Sequence, residues 1–219
     1  MDNSIVIVEK FLSIQGESTF AGRLSHFLRL GACNLNCRYC DTPYSKDARQ
    51  FQIIPIKKLL QEYSKSPVKL LTITGGEPLL QKASCIMLMR ELLELKFTIL
   101  LETNGSLSLK GVPRKVVKIL DCKCPLSGES ETMDFANFAR IDSKDQIKFV
   151  ISGKKDYEYS KEILLKYKLL NKTKNILLSP AGGFLEPAKL AEWMKKDMHP
   201  GILNLQLHKI IWPDKDRGV

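Results

Sequence analysis

Val68-Lys69-Leu70-Leu71-Thr72-Ile73-Thr74-Gly75-Gly76-Glu77-Pro78 is an apolar, β-branched run that stops on a paired-glycine turn. The run predicts a buried strand. In Cys85–Leu95 the residues Ile86, Met89, Leu92 and Leu93 recur at helical spacing, which predicts a helix just beyond the turn. The same grammar recurs on both sides. Strands are predicted at Ile5–Ser13, Ser25–Leu30, Phe97–Glu102, Val116–Asp121, Gln146–Ile151, Asn175–Ser179 and Ile202–Leu207. Helices are predicted at Pro55–Ser64, Tyr157–Leu170 and Glu186–Met194, the last with Pro187 in its first turn. From Val68 onward the units come at roughly 20–30 residue intervals, the length of a right-handed crossover between parallel strands. The fold class is therefore α/β, either an open doubly wound sheet or a partial barrel. No Gly/Ser-rich linker or low-complexity segment interrupts residues 1–219, so one domain is expected.

Nearly every strand runs into a polar or glycine-rich cluster. Gly31-Ala32-Cys33, Glu102-Thr103-Asn104-Gly105-Ser106, Asp121-Cys122-Lys123-Cys124-Pro125 and Ser179-Pro180-Ala181-Gly182-Gly183 all follow apolar runs. In parallel α/β folds the carboxyl ends of the strands share one rim, where sites are built. The chemistry is expected on that rim.

Bulk properties narrow the field. The 219 residues carry 44% hydrophobic and 26% charged residues, an ordinary balance for a water-exposed globular chain. There is no uninterrupted apolar stretch long enough for a membrane span, and the opening residues do not resemble a secretory signal, so a cytoplasmic location is expected. The net charge of +10 comes largely from scattered helical lysines such as Lys57, Lys58, Lys161, Lys166 and Lys168. That pattern suits a solvated surface or an anionic small substrate and does not call for direct nucleic-acid binding.

Of six cysteines, three fall in Cys33-Asn34-Leu35-Asn36-Cys37-Arg38-Tyr39-Cys40-Asp41-Thr42, spaced C-x3-C-x2-C. Thiolates this close converge on a soft metal centre more readily than on disulfides. On spacing alone three readings stay open. A structural zinc site or a ferredoxin-type cluster needs a fourth ligand, which Cys85, Cys122 or Cys124 could supply; His26, His199 and His208 are not at pairing distance. Three cysteines on a four-iron cube would instead leave one iron open.

With Tyr39 before its last cysteine, this segment resembles the C-x3-C-x-aromatic-C signature of the radical S-adenosylmethionine (SAM) superfamily. The resemblance implies a [4Fe–4S] cluster on Cys33, Cys37 and Cys40, with SAM chelated at the open iron. Gly75-Gly76-Glu77-Pro78 matches the superfamily's G-G-E-P element, with Gly76 at the methionine amino group. The further SAM contacts it implies are Tyr39, Cys40, Asp41, Glu102, Cys122, Lys123, Cys124 and Ser179.

Phe11-Leu12-Ser13-Ile14-Gln15-Gly16-Glu17-Ser18, Ala21-Gly22-Arg23, Phe27-Leu28-Arg29-Leu30-Gly31 and Leu205–Trp212 closely resemble 7-carboxy-7-deazaguanine synthases, end to end. That resemblance implies a single-domain partial (β/α) TIM-like barrel with a radical SAM core. It implies a lyase converting 6-carboxy-5,6,7,8-tetrahydropterin to 7-carboxy-7-deazaguanine with loss of ammonia, in queuosine-type tRNA modification. Ile14, Gln15, Gly16, Arg29, Thr74 and Pro213 would contact the substrate, and Thr42 would bind Mg2+. A reductase, flavodoxin or ferredoxin would supply electrons to a homodimer. The chain departs from the family at Ser18, where Gly is common, at Cys122 and Cys124, and in the charged tail Asp214–Arg217. Two rival readings are an activase that abstracts hydrogen from a partner protein's glycine, and a zinc- or cluster-bearing module that binds nucleic acid.

Overall fold

A computed structural model describes residues 3–219, so the first two positions of the expected domain lie outside the described residues. In chain order the elements are β1 (Ser4–Ile14), β2 (Leu24–Leu30), β3 (Gln52–Pro55), α1 (Ile56–Ser64), β4 (Leu70–Gly75), α2 (Lys82–Glu94), β5 (Thr98–Thr103), β6 (Val117–Asp121), β7 (Gln146–Ile151), α3 (Lys154–Lys166), β8 (Ile176–Pro180), α4 (Pro187–Lys196), β9 (Ile202–Leu203) and α5 (Leu207–Ile211). They build one nine-stranded sheet in the order β3-β1-β2-β4-β5-β6-β7-β8-β9. From β2 to β9 every pairing is parallel, whereas β1 runs antiparallel to both β2 and β3. The sheet ends on β3 and β9, so this is a partial barrel with two edges.

Packing explains the helices. Ile56, Leu59 and Tyr63 form the buried stripe of α1, and Cys85, Leu88, Met89 and Leu92 that of α2. These stripes cover the outer face of the sheet against Leu28, Leu71, Ile73, Ile99 and Leu101. Each fully buried Leu or Ile there contributes about 1.5–3 kcal/mol. A smaller cluster, Leu70, Leu100, Val117 and Ile119, lies on the inner face with Phe20 from the β1–β2 connection packed on it. That connection closes the amino-terminal end of the barrel. Gln15 Nε2 donates to Thr72 Oγ1 at 2.9 Å, the Ser18 amide to Asn204 Oδ1 at 2.8 Å and the Thr19 amide to Gln146 Oε1 at 3.0 Å. One short loop thus spans β4, β7 and the segment after β9.

Several sequence expectations need correction. β3 was not expected: its four residues pair only as an edge, with Ile53 74% exposed, so they carry no clear alternation. The strand expected over Ile202–Leu207 shrinks to two residues before the chain turns into α5. α3 starts at Lys154 and stops at Lys166, well short of Leu170, because Lys168 turns left-handed at φ 49. No α-helix links β5 to β6, and only 3-10 turns link β6 to β7. Buried polar side chains do the bracing there. Asn137 bonds Leu109 N, Gly105 O and Leu107 O, while Asp145 accepts from the Lys118 and Asp142 amides. Among the described residues no helix is long and apolar enough to cross a membrane.

Candidate active site

The carboxyl ends of β2 and β4–β8 open on a cavity of about 580 Å³. The cysteine loop between β2 and β3 forms one wall, with no regular secondary structure across Cys33–Cys40. Its shape comes from neighbouring segments. The Glu77 amide donates to Ala32 O at 2.9 Å and the Gly76 amide to Leu30 O at 3.3 Å, so the Gly75-Gly76 turn lies flat against the loop. A Cβ on Gly76 would collide with the Ala32 carbonyl and with Cys33 Cβ. This is the close approach that the glycine permits. Asn104, at the end of β5, donates to Asn34 Oδ1 at 3.1 Å and lies 3.9 Å from Cys33 Sγ.

Glu77 ties these pieces together. It is wholly buried, accepting from Thr103 Oγ1 at 2.8 Å, the Asn104 amide at 2.7 Å and the Leu79 amide at 2.9 Å. Burial nevertheless pushes its carboxyl above the usual range. Glu77 organises the rim from behind and does not line the cavity.

The three thiols are free, half-buried and on the cavity wall. Burial raises the Cys37 thiol, and nearby Lys123 opposes that rise. Among the described residues no trio of His, Cys, Asp or Glu side chains converges tightly enough to grip a single ion. A cube-shaped cluster takes its thiolates from a wider triangle, and an open, partly exposed loop of three cysteines suits it. The residues therefore fit a [4Fe–4S] group held by Cys33, Cys37 and Cys40.

Beyond the cysteines, Tyr39, Asp41, Thr42, Gly76, Glu102, Lys123 and Ser179 line the cavity, as do Ile14, Gln15, Gly16, Arg29, Thr74 and Pro213. The Tyr39 ring meets Phe184 edge-on, with centroids 6.4 Å apart. Thr42 precedes a 3-10 turn, makes no capping bond to it and lines the cavity. Gln206 Nε2 donates to Asp41 Oδ2 at 3.1 Å; burial opposes the Asp41 charge, yet Gln206 and Lys209 hold the carboxyl below the usual range. Arg29 gives its Nε to Glu9 at 2.7 Å and leaves its terminal nitrogens without a partner among the described residues. Gln15 is more committed than its sequence position suggests, since its Oε1 already accepts the Glu17 amide at 3.0 Å.

Cys122 and Cys124 require correction. Expected beside the adenosine pocket, both side chains are fully buried in the outer-face core. Strand alternation carried past β6 turns Asp121 and Lys123 toward the cavity and the two thiols away from it.

The sequence reading missed the charged floor. Lys148 Nζ lies 3.1 Å from Glu17 Oε2 and 3.9 Å from Asp121 Oδ2, while Lys123 pairs with Asp121 at 2.9 Å. Burial opposes the Lys148 charge, but these carboxylates and Glu102 push its ammonium up. Burial raises the Glu102 carboxyl, which accepts from Thr74 Oγ1 at 2.8 Å. The one available signal was a lysine in β7 between the apolar Ile147 and Phe149. His208, on α5, packs its ring where a Gly16 side chain would sit, and burial keeps its imidazole below the usual value.

Residues 29–180 match the Radical SAM superfamily. The 7-carboxy-7-deazaguanine synthase of Koribacter versatilis is 38% identical over 97% of this chain and 99% of its own length. That of Clostridium acetobutylicum is 39% identical over 97% and 98%. This chain belongs to the 7-carboxy-7-deazaguanine synthase family. The crystal structure of QueE from Escherichia coli has the same fold, with a TM-score of 0.74, 21% identity and coverage of 94% and 95% of the two chains. As a radical SAM member, the synthase-family chain uses a [4Fe–4S] cluster and SAM. Ser18 adopts φ 68, and its Oγ accepts the Phe20 amide at 3.0 Å to hold that left-handed turn.

Proposed function

We propose that the chain is a lyase that converts 6-carboxy-5,6,7,8-tetrahydropterin to 7-carboxy-7-deazaguanine with loss of ammonia. The observation that carries this reading is that one cavity is lined both by the three thiols and by Gln15, Arg29 and Thr74. When bound, the cluster and SAM supply a one-electron source and a hydrogen-abstracting radical. The chain's own residues bind, orient and shield. Arg29 offers a planar fork for the substrate carboxylate, pre-set by its bond to Glu9. Thr42 would offer a neutral oxygen to Mg2+, a hard cation that takes oxygen ligands and would polarise the substrate carboxylate. The Ile14-Gln15-Gly16 segment walls the site for the flat heterocycle, with the Gln15 amide held in place by Thr72 and the Glu17 amide. α5 and the tail from Pro213 cover the outer side and exclude water from a reactive intermediate. We further propose Tyr39, Cys40, Asp41, Gly76, Glu102, Lys123 and Ser179 as SAM contacts, a reductase, flavodoxin or ferredoxin as electron donor, a homodimeric state, and a cytoplasmic location.

Anaerobic iron and sulfide analysis followed by turnover tests the reading. Equal iron and sulfide, and deazaguanine formed from the carboxypterin, are expected, with a rate that rises on adding Mg2+. Cofactor cleavage without deazaguanine would point to another radical enzyme, and zinc without iron would overturn the cluster.

A further inference from the structure

The cysteine loop is gripped from a second side, by the turn that follows β6. The Asn36 amide donates to Glu129 Oε1 at 2.6 Å, and the Arg38 amide donates to Ser127 O at 3.1 Å. These are the two amides that flank Cys37. The gripping turn is itself stiff. Ser127 is fully buried and donates through both its amide and its Oγ to Cys124 O, at 3.0 and 2.6 Å. Gly128 takes φ 82, and the Glu129 amide donates to Ser127 Oγ at 3.0 Å. From the opposite side Lys46 Nζ donates to Asn36 Oδ1 at 2.9 Å.

Backbone amides beside an iron–sulfur cluster ordinarily donate to its sulfurs and raise its reduction potential, and nearby negative charge lowers it. Here two such amides are withdrawn into the Ser127–Glu129 turn, and one of the acceptors is a carboxylate. We propose that Glu129 is a positioning residue for Cys37 that also holds the cluster's potential low. The inference rests on the cluster reading above. It concerns how the loop is preorganised and how strongly reducing the reduced cluster is, and Glu129 touches no reacting atom.

Glu129→Gln keeps an acceptor and removes the charge; Glu129→Ala removes both. In the full-length apo-protein, amide exchange at Asn36 should be roughly ten-fold faster in Glu129→Ala, as for losing a bond to a charged acceptor, and less affected in Glu129→Gln. After anaerobic reconstitution, Glu129→Gln should keep its iron while its midpoint potential shifts upward. Glu129→Ala should in addition lose iron to a chelator several-fold faster. Unchanged Asn36 exchange in Glu129→Ala would overturn the positioning role. A wild-type potential in Glu129→Gln would overturn the electrostatic one. If Glu129→Ala does not fold, Glu129→Met, which keeps the length and removes the acceptor, decides the positioning role through its Asn36 exchange, and Glu129→Gln decides the electrostatic one through its potential. A wild-type protein that takes up no iron fails the cluster reading itself, a result distinct from wild-type protein and variants that behave alike.

Discussion

At the scale of the residue, the rim depends on positions where backbone must touch backbone and on one buried carboxylate. Gly76 lets the glycine turn lie against Cys33, and Glu77 then anchors that turn to the end of β5. Because burial raises the Glu77 carboxyl, the folded chain retains a proton that the unfolded chain has already released. Stability from this group is therefore full below the ordinary carboxyl range and falls as pH rises through the interval up to the folded value. Glu77→Gln should abolish that slope in a plot of thermal midpoint against pH. At neutral pH it should cost about 1–3 kcal/mol, because one of the two facing amides loses its acceptor.

At the scale of the element, the sheet has two kinds of support. α1, α2 and α3 cover their strands with apolar stripes, and such stripes are readable as periodicity. Around β5, β6 and β7 the connections are irregular, and buried polar side chains take the place of helices. Asp145 is the key tie: fully buried, it pairs with Lys118 Nζ at 2.8 Å and accepts two amides besides. Asp145→Asn keeps the shape and strands the Lys118 ammonium. It should lower unfolding stability by about 3–5 kcal/mol in urea titration. Asp47→Asn, in the exposed pair with Arg49, should leave the urea midpoint where it is.

At the scale of the whole molecule, the cavity is a meeting of distant parts. Glu17 comes from the barrel plug, Glu102 and Asp121 from successive strand ends, and Lys148 from β7 reaches among them. Burial opposes the Glu17 charge, but Lys148 holds its carboxyl below the usual range, while Glu102 sits above it. Lys148→Met removes the shared cation, so both carboxyls should hold protons to higher pH. The acid limb of kcat/KM should move upward, with a loss of roughly ten-fold at neutral pH. An unmoved acid limb would show that this network does not govern turnover.

The cysteine spacing, the glycine turn, the Gln15 and Arg29 segments and the parallel strand–helix rhythm are local patterns, and the linear chain shows them without help. Each is a short run whose residue types have one strong physical reason to occur together. Three things arose only on folding. Cys122 and Cys124 face the core because strand alternation, not proximity along the chain, decides which side of the sheet a residue sees. Lys148 joined the cavity because a charge inside a strand declares itself only when the neighbouring strands bring carboxylates to it. Glu129 meets the cysteine loop across 93 positions of chain, a pairing that no local pattern encodes. Chemistry that depends on residue identity was written in the sequence; which groups share a space was decided by the register and curvature of the sheet.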